Sequence, residues 1–216
     1  MIVFVPAYDV ATTANLAVAC DLVSAEDLGL LAGQATRENL VEALRIRATE
    51  ALFSMSHGRP DQLCAQGGDT ALTALDAVVT GQRSVYAFAC HTASQLGFEM
   101  SRSGVTWWGY TGAIQCPNDA ASFRILFVEL FQFIREVFVA ASTVTQRLAA
   151  FEEIARRCEA AQAVVDEHAL RDPDLDVWSA YHCLLHVWDR LRVWPPGAIH
   201  PEAHERSRPP SLFLVE

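Results

Sequence analysis

Ala51-Leu52-Phe53-Ser54-Met55-Ser56 runs straight into His57-Gly58, and Val85-Tyr86-Ala87-Phe88-Ala89 runs straight into Cys90-His91-Thr92-Ala93. Both stretches are apolar runs of strand length without the alternation of a half-wet strand. They therefore read as strands buried on both sides, as in a parallel sheet covered by helices. Working outward, strands are expected at 2–5, 28–31, 51–56, 84–89 and 105–110. Helical periodicity is read between them at 11–23, and at 36–48 with Thr36 as cap and Leu40, Val41, Leu44 and Ala48 on one face. Further helices are expected at 70–79, capped by Asp69, and at 93–102, ending at Gly104. Strands alternating with helices predict an α/β domain with a mostly parallel sheet flanked by helices.

From Asn118 onward the pattern is helical only, with amphipathic segments at 118–140, 143–168 and 174–194, the last two parted by Asp172-Pro173. No further strand run is read. The chain divides into a sheet core over 1–117, a helical C-terminal cover over 118–194 and an extended tail over 195–216. Within that tail, Leu212-Phe213-Leu214-Val215 is read as an edge strand or a segment that docks in a groove.

The 216 residues, 51% hydrophobic and 19% charged, suit one folded domain and exclude a disordered chain. All 16 basic side chains are arginines, and with 26 acidic residues the net charge is −10. That sign argues against binding a nucleic-acid backbone, which needs clustered cations. Without lysine, Schiff-base chemistry, a P-loop lysine and a Ser-Lys dyad are all ruled out. Met1-Ile2-Val3-Phe4-Val5-Pro6 is too short and lacks the basic flank of a signal peptide. The apolar-rich stretch 123–141 carries Arg124, Glu129, Arg135 and Glu136, which a bilayer disfavours. Six cysteines without a CxxC pair point to reduced thiols, and a cytoplasmic location away from membranes is expected.

Functional groups in open parallel sheets gather beyond the carboxyl ends of the strands, and strands joined by one crossover are usually neighbours. His57 and Cys90 are thus expected to face one cleft. There an imidazole takes the thiol proton, the thiolate attacks a carbonyl, and the proton returns to the leaving amine. Gly58, lacking a Cβ, lets a carbonyl approach its N–H, which with the N–H of Cys90 would form an oxyanion hole. The blander reading is a small buried thiol and a surface imidazole. Asp9, Asp61 and Asp69 are all acids that would suit orienting His57, and none stands out. His91, next to Cys90, leaves the strand in another direction and is placed at the rim.

His182 and His186 share a helix face, but the apolar stripe of Trp178, Tyr181, Leu184, Leu185, Trp188 and Leu191 and the missing HExxH glutamate argue against a metal. No cofactor is expected either, since Val5-Pro6-Ala7-Tyr8-Asp9 offers no phosphate cradle.

Ser56-His57-Gly58, Ala89-Cys90-His91-Thr92-Ala93 and Gly109-Tyr110-Thr111-Gly112, each at the end of an apolar strand, together resemble the caspase-like cysteine peptidases, in particular their bacterial CHAT-type branch. Ala35-Thr36-Arg37-Glu38-Asn39-Leu40 and the helices over 121–163 extend the resemblance over most of the chain. It implies a caspase-hemoglobinase fold, with Cys90 as nucleophile, His57 as general base and Gly58 as oxyanion neighbour. It also implies a protein substrate and an activating protein partner, as in bacterial defence or cell-death systems. The alternative is a catalytically silent adaptor of the same fold. Two features depart from the family. The caspase signature of Gln-Ala-Cys followed by Gly is absent, and Phe88 stands where metacaspases place an acid two positions before the cysteine. Arg59, Phe88, His91, Trp108 and Thr111 are the substrate-pocket candidates, with Arg83 a further arginine for an acid-binding pocket. The lack of either charge pattern points to a small or apolar residue before the scissile bond.

Overall fold

The computed structural model describes residues 1–117, 121–172 and 174–207. In chain order the elements are β1 (Ile2–Val5), α1 (Val10–Leu22), β2 (Leu28–Leu31), α2 (Arg37–Ile46), β3 (Leu52–Met55), β4 (Gly58–Arg59), β5 (Gln62–Cys64) and β6 (Thr70–Thr73). There follow α3 (Ala77–Thr80), β7 (Ser84–Phe88), α4 (Leu96–Arg102), β8 (Thr106–Tyr110), α5 (Ala121–Ala140), α6 (Val144–Arg171), α7 (Val177–Asp189) and β9 (Leu191–Trp194).

Six strands form the main sheet in the order β2-β1-β3-β7-β8-β9; the first five are parallel, and β9 runs antiparallel to β8. Strand alternation sends successive side chains to two cores. Val3, Val5, Phe53, Met55, Tyr86, Phe88, Trp108 and Tyr110 pack with apolar residues of α1, α5, α6 and α7. Ile2, Phe4, Leu52, Val85, Ala87 and Trp107 pack with α2, α3 and α4. The strands read as unbroken apolar runs because both faces are covered. On α5, Phe123, Phe127, Leu130, Phe131, Ile134 and Phe138 recur at helical spacing and are all buried against the first of these cores. Phe131 meets Phe88 edge-on at 4.9 Å between ring centroids.

Between β1 and β3 the strand order reverses, because the chain steps from β1 outward to β2 and then back across to β3. Such a switch point opens a crevice beyond the carboxyl ends of the two strands.

Several expectations are corrected. The helix expected at 70–79 is strand β6 followed by the short α3. Thr73 rather than Asp69 starts the helical turns, with its hydroxyl accepting from Leu75 N–H at 3.3 Å. β4, β5 and β6 form a small antiparallel sheet inside the crossover from β3 to β7. The last helix ends at Asp189, and residues 191–194 add a sixth strand to the sheet.

Residues 195–207 do not form the extended tail expected for them. Val193 and Glu202 exchange backbone hydrogen bonds at 2.9 and 2.7 Å, Arg147 grips Glu202 through two 2.7 Å bonds, and His204 is buried. Residues 195–207 are therefore a strap on the body of the molecule. The segment 212–215 lies outside the described residues.

Two pocket candidates belong to the core instead. Phe88 packs between Tyr110 and Phe131, and Trp108 packs on Phe151; neither exposes surface for a substrate. Arg83 is also buried, spending its guanidinium on the carbonyls of Leu44, Arg47, Ala48 and Glu50. Among the described residues, no helix is long and apolar enough to cross a membrane.

Candidate active site

Three strand ends meet at the switch point. Beyond β1 the chain is pinned by Gln66, whose amide accepts from Ala7 N–H and donates to Ala7 O, both at 2.8 Å. Asp9 then caps α1. Its Oδ1 accepts from the Thr12 N–H at 2.8 Å while the Thr12 hydroxyl accepts from Asp9 N–H at 3.1 Å, a reciprocal capping box.

Beyond β3, Ser56 N–H donates to Phe88 O at 3.0 Å, and the buried Ser56 hydroxyl donates to Cys64 O at 2.6 Å. These bonds carry the β3–β7 register to the strand ends, so the residues that leave the two strands start side by side. The His57 carbonyl is fixed by Cys64 N–H at 3.0 Å, and its Nε2 lies 2.7 Å from Asp9 Oδ2. Tyr8 sets its ring 5.8 Å from the imidazole at a tilted angle.

Partial burial works against ionisation of Asp9. The hydrogen bonds from Thr12 and His57 outweigh it and hold the carboxyl below its ordinary value. An ionised carboxylate only accepts, so His57 donates from Nε2, and in the neutral ring the lone pair is then on Nδ1. The Tyr8 hydroxyl is pushed up to about 12, first by burial and then by the charges of Cys64 and Asp9, so it stays protonated.

Beyond β7 stands Cys90, half-buried, its Sγ accepting from Ile114 N–H at 3.3 Å. The next residue, His91, takes a left-handed backbone with φ 62°. That conformation costs a side-chain-bearing residue on the order of 1 kcal/mol. It is held by His91 N–H donating to Gly112 O at 3.1 Å and Ser94 N–H donating to His91 O at 2.9 Å. The chain thus turns sharply away from the sheet just after the cysteine.

Gly58 packs where only glycine fits. A Cβ there would stand 2.6 Å from the Cys90 carbonyl oxygen and 2.5 Å from Thr92 Cγ2. In the β4–β5 register, the bond from Cys64 N–H to His57 O makes Gly58 and Leu63 the pair that exchanges no ladder bonds, so Gly58 N–H points away from β5.

His57, Gly58, Cys90 and His91 therefore leave the sheet side by side at the carboxyl edge formed by β3 and β7. Arg59 follows on β4, exposed, and its charge reaches Tyr8 and Cys64. Thr111 lies on the loop that follows β8, its N–H donating to Arg190 O at 3.1 Å. Phe88 and Trp108 are not part of this edge. Of the three acids expected near the imidazole, Asp9 is the one bonded to it. What the sequence concealed is the backbone contact from Ile114 and the anchoring of its loop by α7. No residue type signals a main-chain donor.

Among the described residues, no group of three His, Cys, Asp or Glu side chains is placed to hold a metal. His182 and His186 stack at 5.9 Å, and His186 Nδ1 accepts from Gln115 N–H at 3.1 Å. The arrangement at the carboxyl ends of these strands offers a thiol, an imidazole oriented by a carboxylate, and main-chain N–H groups, which are the parts acyl transfer needs. Comparison of the chain with models of known protein families, with curated proteins and with solved structures gave no match.

Proposed function

We propose that this chain is a caspase-like cysteine endopeptidase that cuts a specific protein through a Cys90–His57 dyad. The observation that carries the reading is the 2.7 Å bond from His57 Nε2 to Asp9 Oδ2, made at the end of the strand beside the one that delivers Cys90. A carboxylate on one ring nitrogen fixes the tautomer and leaves the other to act as base. A parallel sheet layered between helices on both faces, with the three strand ends converging at its switch point, supports the caspase-hemoglobinase part of the reading.

In the reaction the Cys90 thiol passes its proton to His57 Nδ1, and Sγ bonds to the carbonyl carbon of a bound peptide. The N–H groups of Gly58 and Cys90 receive the oxyanion. Collapse breaks the C–N bond while His57 returns the proton to the departing amine, leaving a thioester on Cys90. Water, deprotonated by His57, then attacks the thioester; the carboxylic acid leaves and the thiol regains its proton. Arg59, His91 and Thr111 border the substrate path, and a small or apolar residue precedes the scissile bond. A second protein switches the enzyme on.

The test compares new protein N-termini in a lysate given the wild-type chain or Cys90→Ala, together with candidate partner proteins. Termini that need Cys90 are expected, and the cut sites read the preference directly. Identical termini in both samples, partners included, would overturn the peptidase and favour the silent adaptor.

A further inference from the structure

Ile114 meets the Cys90 sulfur from outside the dyad and its oxyanion neighbours with both main-chain groups, and its carbonyl, accepting from the thiol at 3.8 Å, is the more distant of the two. Ile114 N–H donates to Sγ at 3.3 Å, from the loop 111–117 that follows β8. A main-chain donor aimed at sulfur favours thiolate over thiol, because the hydrogen bond is stronger to the charged form. A loop residue is only as well placed as the anchors of its loop.

Those anchors lie at the carboxyl end of α7. On one side of Ile114, Thr111 N–H donates to Arg190 O at 3.1 Å and the Arg190 guanidinium donates back to Ala113 O. On the other side, Gln115 N–H donates to His186 Nδ1 at 3.1 Å. Accepting at Nδ1 requires that nitrogen to be unprotonated, so the neutral ring carries its proton on Nε2. The residues flanking Ile114 are thus clamped from α7 by one side chain each.

We propose that His186 is a positioning residue for the nucleophile: by holding Gln115 it keeps the Ile114 N–H on the Cys90 sulfur, with Arg190 as the second anchor. This rests on the reading of Cys90 as the nucleophile. The other ionisable groups on elements that meet around Cys90 are Tyr8 and Asp9 after β1, His57 after β3, Arg59 and Cys64 on the small sheet, His91 beside it, and Cys116 on the loop itself. Substitution at 186 or 190 leaves these in place; because Arg190→Ala also removes a cation, recovery in the neutral His186→Asn is what ties a change at Cys90 to the loop.

The test follows alkylation of Cys90 by iodoacetamide, read by peptide mass spectrometry from about pH 5 to about pH 9, in the wild type, His186→Ala, His186→Asn and Arg190→Ala. His186→Ala should slow Cys90 about three- to tenfold near pH 7 and move its titration midpoint upward, as expected for loss of one hydrogen bond to the thiolate. His186→Asn, whose Oδ1 replaces Nδ1 as acceptor, should recover the wild-type rate to within about twofold. Arg190→Ala should slow Cys90 as well and carries the test if His186→Ala does not fold, which near-UV circular dichroism would show. Rates in both alanine variants equal to the wild type, with Cys90 still outpacing the other thiols, would overturn the positioning role and leave the dyad intact. A wild-type Cys90 no faster than the exposed Cys20 would overturn the dyad and the positioning role together.

Discussion

Asp9 divides one carboxylate between two tasks. Oδ1 holds the first turn of α1 through Thr12, and Oδ2 holds His57. Asparagine caps helices about as well as aspartate, so Asp9→Asn separates the tasks: the helix start remains and the charge on the imidazole goes. Its stability should stay within about 1 kcal/mol of the wild type by urea unfolding. Cys90-dependent cleavage should fall by ~100-fold, the lower range for loss of a working general base. Equal cleavage rates would remove Asp9 from the site. The sequence alone left three acids open for this place, because the choice depends on β1 lying beside β3, a fact of strand order that residue types do not carry. His57 and Cys90 were legible because each follows an apolar run long enough to be a strand.

At the scale of elements, the Asp27–Arg135 pair ties the segment before β2 to α5. Asp27 Oδ2 lies 2.8 Å from Arg135 Nη2, and the two side chains are only 5% and 9% exposed. Burial alone would raise the Asp27 carboxyl. The hydrogen bonds from Ser24 and Arg135 outweigh it and bring the value from 3.8 down to about 2. A carboxyl lowered by folding stabilises the fold above its unfolded value and loses that contribution as pH falls through the folded one. Asp27→Asn should therefore cost about 3 kcal/mol at neutral pH, since it strands a buried guanidinium. The gap from the wild type should close as the pH drops from 3.8 toward about 2. Urea unfolding across that range measures both, and a gap independent of pH would assign the loss to packing.

Elements also differ in how readable they were. The four parallel strands inside the sheet announced themselves because burial on both faces demands unbroken apolar runs, while β2, at its edge, is only partly buried. β6 was misread because Asp69 ahead of Thr70 imitates a helix cap. β9 hid because Leu191-Arg192-Val193-Trp194 continues the helical spacing of α7, and its Arg192 is unusual in a buried strand. That guanidinium turns back to the carbonyls of Asp189 and Leu191.

For the molecule as a whole, the strap over 195–207 joins parts of the chain that no local pattern could connect. Arg147, near the start of α6, holds Glu202 with two bonds and also donates to Ser142 O at 2.8 Å. Arg147→Ala should free the strap, so that trypsin cuts after Arg206 well before it cuts within α6, at a cost of about 2–4 kcal/mol in global stability. Unchanged cleavage at Arg206 would mean that His204 and the Val193–Glu202 bridge hold the strap without it. The prolines that made this stretch read as a loose tail are real, but its side chains find partners far back in the chain.

The antiparallel pairing of β9 with β8 sets Trp107 opposite Trp194 and Tyr110 opposite Leu191. A ribosome making this protein finishes β8 roughly eighty residues before it reaches β9, a wait of about 4 to 16 seconds at ordinary synthesis rates. Throughout that interval the newborn sheet has an unpaired edge carrying two tryptophans, the kind of surface on which nascent chains stick to one another. The helices α5, α6 and α7 emerge during the same wait, so the face that carries Trp108 is covered before the strand that seals the edge is made.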